Sequence, residues 1–275
     1  MFTVIAWHFT MARPVVHQAD IALPLFPESA PAVRVVLMSD LHVSGPDMPP
    51  SRLDGIVRQI NASQPDVVAI AGDFISDKLL ATKHYSYRDA LAPLSGLKPR
   101  LGTVAVLGNH DHWRNGDEAR RELQRIGVVV LQNEAVRMGP LAIGGVDDTY
   151  TVHSDVKKTA AAMDRLGGAQ IILSHSPDVF PAMPGNGKLI LAGHTHCGQI
   201  RYPWGGTPAP VSRFGERYSC GRIDENGRTL IVTGGLGTSI LPFRLFSTPD
   251  IWLITVHAPV PTQKGAQTTA QTPFR

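Results

Sequence analysis

The first half of the chain alternates between two hydrophobic patterns. Continuous aliphatic runs predict buried β-strands at "VRVVLM" (33–38), "DVVAIAG" (66–72) and "TVAVLG" (103–108). Helices are expected after each strand: one with Ser51 as its N-cap, one around residues 83–95 and one over residues 116–127. Strands that alternate with helices in this way favour a parallel sheet buried between layers of helices.

In the second half the predicted strands follow one another more closely and are separated mostly by turns. We expect one helix near residues 154–166, and strands at "VVVL", "EAVRM", "LAIGGV", "QIILS", "KLILAG", "RYSCGRI", "RTLIVTGG" and "IWLITV". This order favours a mixed or antiparallel sheet. Two sheets packed face to face and flanked by helices accommodate both halves in one domain.

Polar side chains that bind metal ions follow five of the aliphatic strands directly. They are Asp40 and His42, then Asp73, then Asn109 with His110 and Asp111, then His175, and finally His194 and His196. The carboxyl ends of strands in an open α/β sheet form the edge at which ligands bind. We therefore expect these side chains to lie close together.

Each of these side chains has an ordinary explanation when taken alone. An Asp after a strand often caps a helix or forms a turn, and a single His is more often a hydrogen-bonded loop or core residue than a ligand. Together they form an oxygen and nitrogen set that is too large for one tetrahedral zinc ion but sufficient for two metal ions bridged by a carboxylate. The set therefore predicts a dinuclear metal centre, which suits phosphoryl transfer.

The motifs "SDLH", "GDF", "GNHD", "SH" and "GHTH" occur in this order and resemble those of the calcineurin-like metallophosphoesterases. The resemblance covers residues 33–200. It implies an α/β fold, a four-layer α/β/β/α sandwich of two mixed sheets flanked by helices. Within the superfamily, "GHTHCGQI", "SHSPDVFP" and "GGLGTS" resemble the branch of bacterial membrane-associated phosphoesterases that includes UDP-2,3-diacylglucosamine pyrophosphatases.

The same resemblance implies a role for each candidate residue. One metal ion would be held by Asp40, His42 and His196, and the other by Asn109, His175 and His194, with Asp73 as the bridge. His110 matches the family's catalytic histidine, which contacts the phosphate and protonates the leaving oxygen. Asp111 would orient His110.

The resemblance and the ligand types together imply a hydrolase of phosphate esters or phosphoanhydrides that uses a metal-bound hydroxide. Imidazole ligands argue against an all-magnesium site, so we expect two divalent ions from among Mn, Fe and Zn. The leading substrate class is a phosphodiester or a nucleotide-linked pyrophosphate, with lipid-linked forms included, and the alternative is a phosphomonoester. A non-catalytic interaction protein on the same fold is a further alternative, although such scaffolds usually lose ligands that this chain retains.

Composition and charge limit the classes of binding partner that we expect. The net charge is +3, and Lys and Arg are scattered along the chain, so we expect a phosphorylated small molecule or lipid-linked compound as substrate and no nucleic-acid partner. The two cysteines, Cys197 and Cys220, form no CxxC pair and no disulfide framework, which favours the cytoplasm. Cys197 would then be a thiol beside the metal ions and sensitive to oxidation.

Several further polar residues have weaker assignments. Asp147 and Asp148 are expected on a turn, with a contact to substrate as the alternative. His84, His112 and His153 are expected on solvated loops, with His112 the nearest of these to substrate. Three arginines contact either substrate phosphates or ordinary solvent: Arg201, Arg213 and Arg217.

The two ends of the chain are set apart from the predicted domain. "MFTVIAWHFTMA" is shorter than the ~20 residues of a membrane span and lacks the features of a secretory signal. It either packs on the domain or makes a weak peripheral membrane contact through Phe2, Ile5, Trp7 and Phe9. We expect an N-terminal segment over residues 1–30, the metallophosphoesterase domain over 31–258 and a disordered tail over 259–275.

Overall fold

Two six-stranded sheets lie face to face, as the computed structural model shows for residues 2–76, 78–184 and 187–259. The first sheet contains β1 (Val15–Ala22), β2 (Val33–Met38), β3 (Val67–Ala71), β4 (Gly102–Val106), β5 (Val129–Val130) and β12 (Asp250–His257). The second contains β6 (Glu134–Met138), β7 (Leu141–Val146), β8 (Ala169–Ser174), β9 (Leu189–Ala192), β10 (Gly221–Glu225) and β11 (Arg228–Val232).

Both sheets are mixed, and the central strands of each sheet are parallel. The first has the strand order β1-β12-β2-β3-β4-β5; β2 to β5 are parallel, and β12 is antiparallel to β2. The second has the order β10-β11-β9-β8-β7-β6, in which only the two edge pairs are antiparallel. The carboxyl ends of β2, β3 and β4 in one sheet and of β8 and β9 in the other are therefore free to form one site.

Helices cover the outer faces. They are α1 (Phe2–Met11), α2 (Pro50–Ala62), α3 (Tyr87–Leu91), α4 (Asn109–Arg125) and α5 (Val156–Leu166), with short 3-10 helices at Ala92–Gly96 and Pro177–Ala182. Alternate residues of β2 show how the layers are filled. Val35 and Leu37 belong to the core between the sheets, whereas Val36 and Met38 belong to the core under α2. Met163 of α5 lies in a third core on the outer face of the second sheet. This confirms the expected four-layer α/β/β/α sandwich.

Two helices begin earlier than the sequence indicates. Ser51 is not an N-cap, because α2 already begins at Pro50, with Pro49 as the N-cap. Proline suits the first helical position, since it lacks the N–H that the first turn leaves unpaired. The helix expected over residues 116–127 is the second part of α4, which begins at Asn109 and has a non-helical backbone at Asn115. The segment around residues 83–95 forms α3 and then a 3-10 helix.

The segment before residue 31 contributes both a helix and a strand. β1, which the sequence patterns did not predict, pairs in parallel with β12 from Val15 to Ala22. Its side chains are mostly exposed, so it lacks the aliphatic run that marks the other strands. Helix α1 packs on the domain: the Arg52 guanidinium donates to the carbonyl of Thr10 (2.7 Å), and the Thr10 hydroxyl accepts from the backbone N–H of Arg244 (2.7 Å).

None of the described helices has the length and apolar character that crossing a membrane requires. The predicted disordered tail, apart from Pro259, lies outside the described residues.

Candidate active site

The seven predicted ligands are all buried and all lie just beyond the carboxyl ends of strands. Asp40 and His42 follow β2, Asp73 follows β3 and Asn109 follows β4. In the second sheet, His175 follows β8, and the two histidines of the motif "HTH", His194 and His196, follow β9. The site therefore joins the two sheets at one edge.

The backbone at this edge is held in an unusual conformation. Five of the seven residues have φ between 43° and 70°, namely Asp40, His42, Asp73, His194 and His196. The left-handed region is unfavourable for non-glycine residues and persists only where the surroundings enforce it, which is most common at functional sites. Gly108 shows how tightly the loops pack, because a Cβ there would collide with the Asp73 carboxylate.

A first group of ligand atoms is formed by Asp40, His42 and His196, whose atoms lie within 4.8 Å of one another. The two imidazole Nε2 atoms are 3.2 Å apart, and Asp40 Oδ1 lies 3.5 Å from Nε2 of His196. Asp40 Oδ1 is buried and has no hydrogen-bond partner among the described residues. Two lone-pair nitrogens and an unpaired carboxylate oxygen that converge on one point suit a divalent cation.

A second group is formed by Asp73, His175 and His194, again within 4.8 Å. His175 Nε2 lies 3.3 Å from Asp73 Oδ2, 3.1 Å from His194 Nδ1 and 3.0 Å from the Asn109 side-chain oxygen. Asn109 therefore joins this group, as the resemblance implies, and adds a neutral oxygen to it.

Asp73 lies between the two groups. Its Oδ2 is 3.3 Å from Nε2 of His175 in the second group and 3.5 Å from Nε2 of His42 in the first. Its Oδ1 accepts the backbone N–H of His110 at 3.0 Å. That N–H belongs to the first turn of α4, where the unpaired amide groups favour a negative charge.

The electrostatics of the site leave most of its histidines neutral. Burial lowers the pKa of His42 and of His196 well below the usual range, and burial together with His175 lowers the pKa of His194 to about 4. A neutral imidazole has the free lone pair that metal binding requires. These three side chains are therefore in the protonation state of a ligand.

The pKa values of Asp73 and His175 depend strongly on each other. Burial alone would lower the pKa of His175, but the adjacent Asp73 carboxylate outweighs it and raises the pKa to about 10. Conversely, His175 holds the pKa of Asp73 well below its usual range despite burial. Burial raises the pKa of Asp40 to about 6. A cation in the site would take the place of the proton on His175.

His110 lies at the border between these groups and an open groove. Its ring contacts that of His42 edge-to-face at 4.9 Å between centroids, and Nε2 is 3.5 Å from the Ser239 hydroxyl. It is half-buried and lines a groove of about 630 Å³ together with Asp73 and Asn109. One nitrogen of His110 also lies within 4.8 Å of ligand atoms of His42 and Asp73. The ring is thus able to contact both the groups of ligands and a molecule in the groove.

Asp111 does not orient the His110 ring as expected. Its carboxylate accepts hydrogen bonds from three backbone N–H groups, those of Asp73 (2.9 Å), Phe74 (3.0 Å) and Gly108 (3.0 Å). Burial and the neighbouring Asp73 charge raise the pKa of Asp111 to about 7. Asp111 therefore ties the loop after β3 to the start of α4. It positions ligands and does not reach the groove.

The loop "GGLGTS" at 234–239, which the sequence marks only by its resemblance to one branch of the family, forms the floor of the site. A Cβ at Gly235 would collide with Asp40, and the Thr238 hydroxyl donates to Asp47 (2.7 Å). The buried Lys78 ammonium contacts Asp47 (2.6 Å) and Thr238 (2.8 Å). Three glycines within four residues beside a Thr-Ser pair are the signal in the sequence that points to this close packing.

Arg244 is a second buried cation that only the structure reveals. Its guanidinium donates to the carbonyls of Gly234 (2.8 Å) and Gly237 (2.6 Å) and so holds the same loop. These carbonyls compensate the buried charge only in part, because Nη1 of Arg244 has no hydrogen-bond partner among the described residues. Because the backbone of Arg244 also contacts Thr10, the floor of the site is linked to helix α1.

The weaker candidates prove mostly structural. His112 is not a solvated loop residue, since it lies on α4 with Nε2 2.8 Å from Asp147, and His153 stacks on it at 4.2 Å. Asp148 does form a turn, in which it accepts the N–H of Thr151 at 2.6 Å.

The three candidate arginines make contacts within the protein. Arg213 pairs with Asp178, Arg217 pairs with Glu225, and Arg201 donates to the carbonyl of Cys197.

The cysteines are paired, contrary to expectation. Cys197 and Cys220 form a disulfide across a sequence separation of 23 residues, and the described residues contain no free cysteine. Their spacing gives no sign of this pairing, because the contact arises only when the loop after β9 returns beside the start of β10. The pairing removes the grounds for expecting a reducing compartment and a reactive thiol at Cys197.

Loss of this disulfide should destabilise the fold. A crosslink over this separation constrains the unfolded chain by about 3 kcal/mol, so Cys220→Ser should lower the free energy of unfolding by about that amount. Urea unfolding of the wild type with and without reductant measures the effect, and the variant is the control because reductant should not change it. Equal stability of the oxidised and reduced wild type would contradict the prediction.

Carboxylates, imidazoles and an amide oxygen that converge at the strand ends of an α/β/β/α sandwich are typical of proteins that bind metal ions to act on phosphate esters. The chain belongs to the calcineurin-like phosphoesterase family, whose model matches residues 33–198. The expected fold and the resemblance to this family are thereby confirmed.

Similar proteins extend over different lengths. A zebrafish (Danio rerio) transmembrane protein with metallophosphoesterase domain is 31% identical over 259 residues, which cover 86% of this chain but 56% of that protein. The chain thus spans little more than half of that relative. The uncharacterized metallophosphoesterase YkuE of Bacillus subtilis is 30% identical over 85% of this chain and 82% of its own length. The NAD nucleotidase of Haemophilus influenzae shares the fold, with a TM-score of 0.50, 15% identity and coverage of 74% of this chain and 45% of that one.

Proposed function

We propose that the protein hydrolyses a phosphodiester or a nucleotide-linked pyrophosphate with the help of two divalent cations. The observation that carries the proposal is the position of Asp73 Oδ2, 3.3 Å from His175 of one ligand group and 3.5 Å from His42 of the other. A single carboxylate oxygen between two sets of imidazoles is the arrangement expected of a bridging ligand.

The residues present fit this pair of cations. One group offers Asp40, His42 and His196, the other offers Asn109, His175 and His194, and Asp73 serves both. The unpaired Asp40 Oδ1 and the facing nitrogens of His42 and His196 are otherwise unexplained in a buried site. When bound, Mn, Fe or Zn ions would lower the pKa of water and stabilise negative charge at phosphorus.

We assign His110 to proton transfer. It is half-buried, lines the groove and stands beside both ligand groups, so an oxygen leaving phosphorus is within its reach. A proton held on its Nε2, beside the Ser239 hydroxyl, would pass to that leaving oxygen. The backbone N–H of His110 also donates to the Asp73 carboxylate, so the position of the proposed proton donor is fixed relative to the proposed bridging ligand.

The groove favours a diester or anhydride over a phosphomonoester. A monoester dianion calls for unpaired cationic side chains around the phosphate. Among the described residues that line the groove, Lys78 is the only lysine or arginine, and its ammonium is paired with Asp47 at 2.6 Å. The walls beyond the ligands are instead apolar, with Ile200 and Leu241 among them, and suit organic groups attached to phosphorus. The phosphomonoesterase alternative is tested by comparing a diester with the matching monoester.

That experiment is a substrate panel on protein stripped of metal and reloaded separately with Mn, Fe or Zn. We expect metal analysis to give two ions per chain, and kcat/KM for a chromogenic bis-ester to exceed that for the matching mono-ester by about tenfold, equivalent to about 1.4 kcal/mol. Chelated protein is the control. A preference for the mono-ester would establish the alternative, and inertness with every metal would favour the non-catalytic scaffold.

A further inference from the structure

Exposed apolar side chains gather around the mouth of the groove. Leu79 and Ile240, which line it, are 84% and 62% exposed, and Leu80 beside Leu79 is 59% exposed. Single exposed apolar residues are ordinary, but a contiguous group that surrounds a site indicates a surface with an apolar partner. The group therefore needs an explanation beyond the fold.

A loop beside the groove places a tryptophan at the same mouth. Ile200 and Thr207 line the groove, and the chain between them turns back on itself, because the N–H of Tyr202 donates to the carbonyl of Gly206 (3.1 Å). Trp204 at the tip of this loop is 81% exposed and stacks on Tyr202 at 5.2 Å between ring centroids. Tryptophan and tyrosine are the side chains most suited to the boundary between water and lipid.

The leucine pair is held outward by a buried anchor. Lys78 is fixed by Asp47 (2.6 Å) and Thr238 (2.8 Å), and the chain then turns so that Leu79 and Leu80 project into solvent. Burial of the lysine and exposure of the leucines reverse the usual distribution of these residues. A rigid anchor makes such exposure a fixed feature of the surface.

The charge at the mouth is positive. Arg201 follows the groove residue Ile200, Lys83 follows Leu80 by three positions, and neither has a carboxylate partner among the described residues. Of the three arginines in the loop over residues 198–219, Arg213 and Arg217 pair with Asp178 and Glu225, which leaves Arg201 as the arginine of this loop without a carboxylate partner among the described residues. Basic residues beside exposed apolar ones complement the anionic headgroups of a membrane surface.

The apolar surface continues to helix α1. Leu245 pairs through its backbone with Gln199 (3.0 Å), next to Ile200 of the groove, and the following residue, Phe246, contacts Phe9 of α1 at 5.6 Å. On α1, Ile5 and Trp7 remain exposed even though the helix is packed on the domain. Helix α1 therefore packs on the domain through Phe9 and still presents apolar side chains to solvent, so the two alternatives for this segment do not exclude each other.

We propose that this face, formed by Leu79, Leu80, Trp204, Ile240 and the exposed side of α1, docks on an anionic membrane surface. Docking would bring the mouth of the groove to a phosphoester that is held in the bilayer by a hydrocarbon chain. The substrate part of the inference rests on the proposed hydrolysis, whereas the docking part does not.

The test is sedimentation with vesicles of phosphatidylcholine, with and without phosphatidylglycerol. The variant is Leu80→Ser combined with Trp204→Ser, since neither side chain lines the groove. Leu25→Ser is the matched control: Leu25 is 74% exposed but follows β1, whose carboxyl end lies at the opposite edge of the sheet from the site. We expect the full chain to bind vesicles that contain phosphatidylglycerol, the double variant to bind about tenfold more weakly, and Leu25→Ser to bind like wild type.

Turnover of a soluble bis-ester by the same proteins separates the two proposals. Equal turnover by wild type and double variant, together with weaker vesicle binding, supports docking. If the wild type binds vesicles more tightly than the double variant but hydrolyses no ester, the proposed hydrolysis is overturned. The proposed docking face is then still supported.

Three results of the vesicle experiment would overturn docking: no binding by wild type, equal binding by the double variant, or equal loss in Leu25→Ser. A dimer in free solution that the double variant dissociates would also overturn it, because the face would then bind a second copy.

Discussion

Asp73→Asn should lose bound metal and nearly all turnover. The substitution keeps the shape of the side chain but removes the negative charge that faces both ligand groups, at 3.3 Å from His175 and 3.5 Å from His42. Charge stabilisation by bound metal contributes several kcal/mol to such a reaction, so the rate should fall by about 10³-fold or more. Metal analysis and kcat/KM for the bis-ester measure the two effects.

The fold should survive this change. The Asn carbonyl oxygen is still able to accept the His110 N–H that Asp73 Oδ1 accepts at 3.0 Å. Asp54→Asn is the matched control, because Asp54 is an exposed residue of α2 that pairs with Arg58. A soluble, folded Asp73→Asn variant that keeps two metal ions and wild-type turnover would refute the bridging role.

His110→Ala should separate chemistry from metal binding. Loss of a general acid reduces the rate by ~10²–10⁴-fold, and we expect this loss with an alkyl ester, whose leaving oxygen needs a proton. An aryl ester leaves as a stable anion, so its hydrolysis should fall much less. The metal content should stay close to that of wild type, because the seven proposed ligands are all intact.

A matched variant is His84→Ala, since His84 lies on an exposed loop. Loss of metal in His110→Ala would instead make His110 a ligand, as its position within 4.8 Å of His42 and Asp73 allows. An equal fall in rate for alkyl and aryl esters would argue against proton donation.

The pattern of strands and the candidate ligands followed from local sequence. A strand buried on both faces in a parallel sheet must be aliphatic throughout, as "VVAIA" of β3 is, so its end is marked by the first polar residue. Asp73 is that residue after β3, whereas Asp40 and His175 each come directly after a serine, Ser39 beyond β2 and Ser174 at the end of β8. The candidate ligands were therefore visible in the sequence because the residue type changes from aliphatic to polar near the end of each strand, although the polar residues are themselves buried.

Contacts between segments that are distant in the chain have no comparable signal in the local sequence. Asp111 was expected on the His110 ring but accepts N–H groups of the loop after β3, because the start of α4 packs against that loop. Likewise, "GGLGTS" shows only that the backbone is close to something, and the structure shows that Gly235 lies against Asp40. Strand β1 was missed because its pairing with β12 depends on hydrogen bonds along the backbone and not on a buried face.

The sequence by itself determined the layered fold and the residue types at the site, since hydrophobic periodicity and strand ends are properties of neighbouring residues. Only the tertiary structure decided which cysteines meet, which backbone groups the Asp111 carboxylate binds and which apolar residues surround the groove. Those features depend on the distance between segments far apart in the chain, and that distance is set by how the two sheets pack and not by any local pattern.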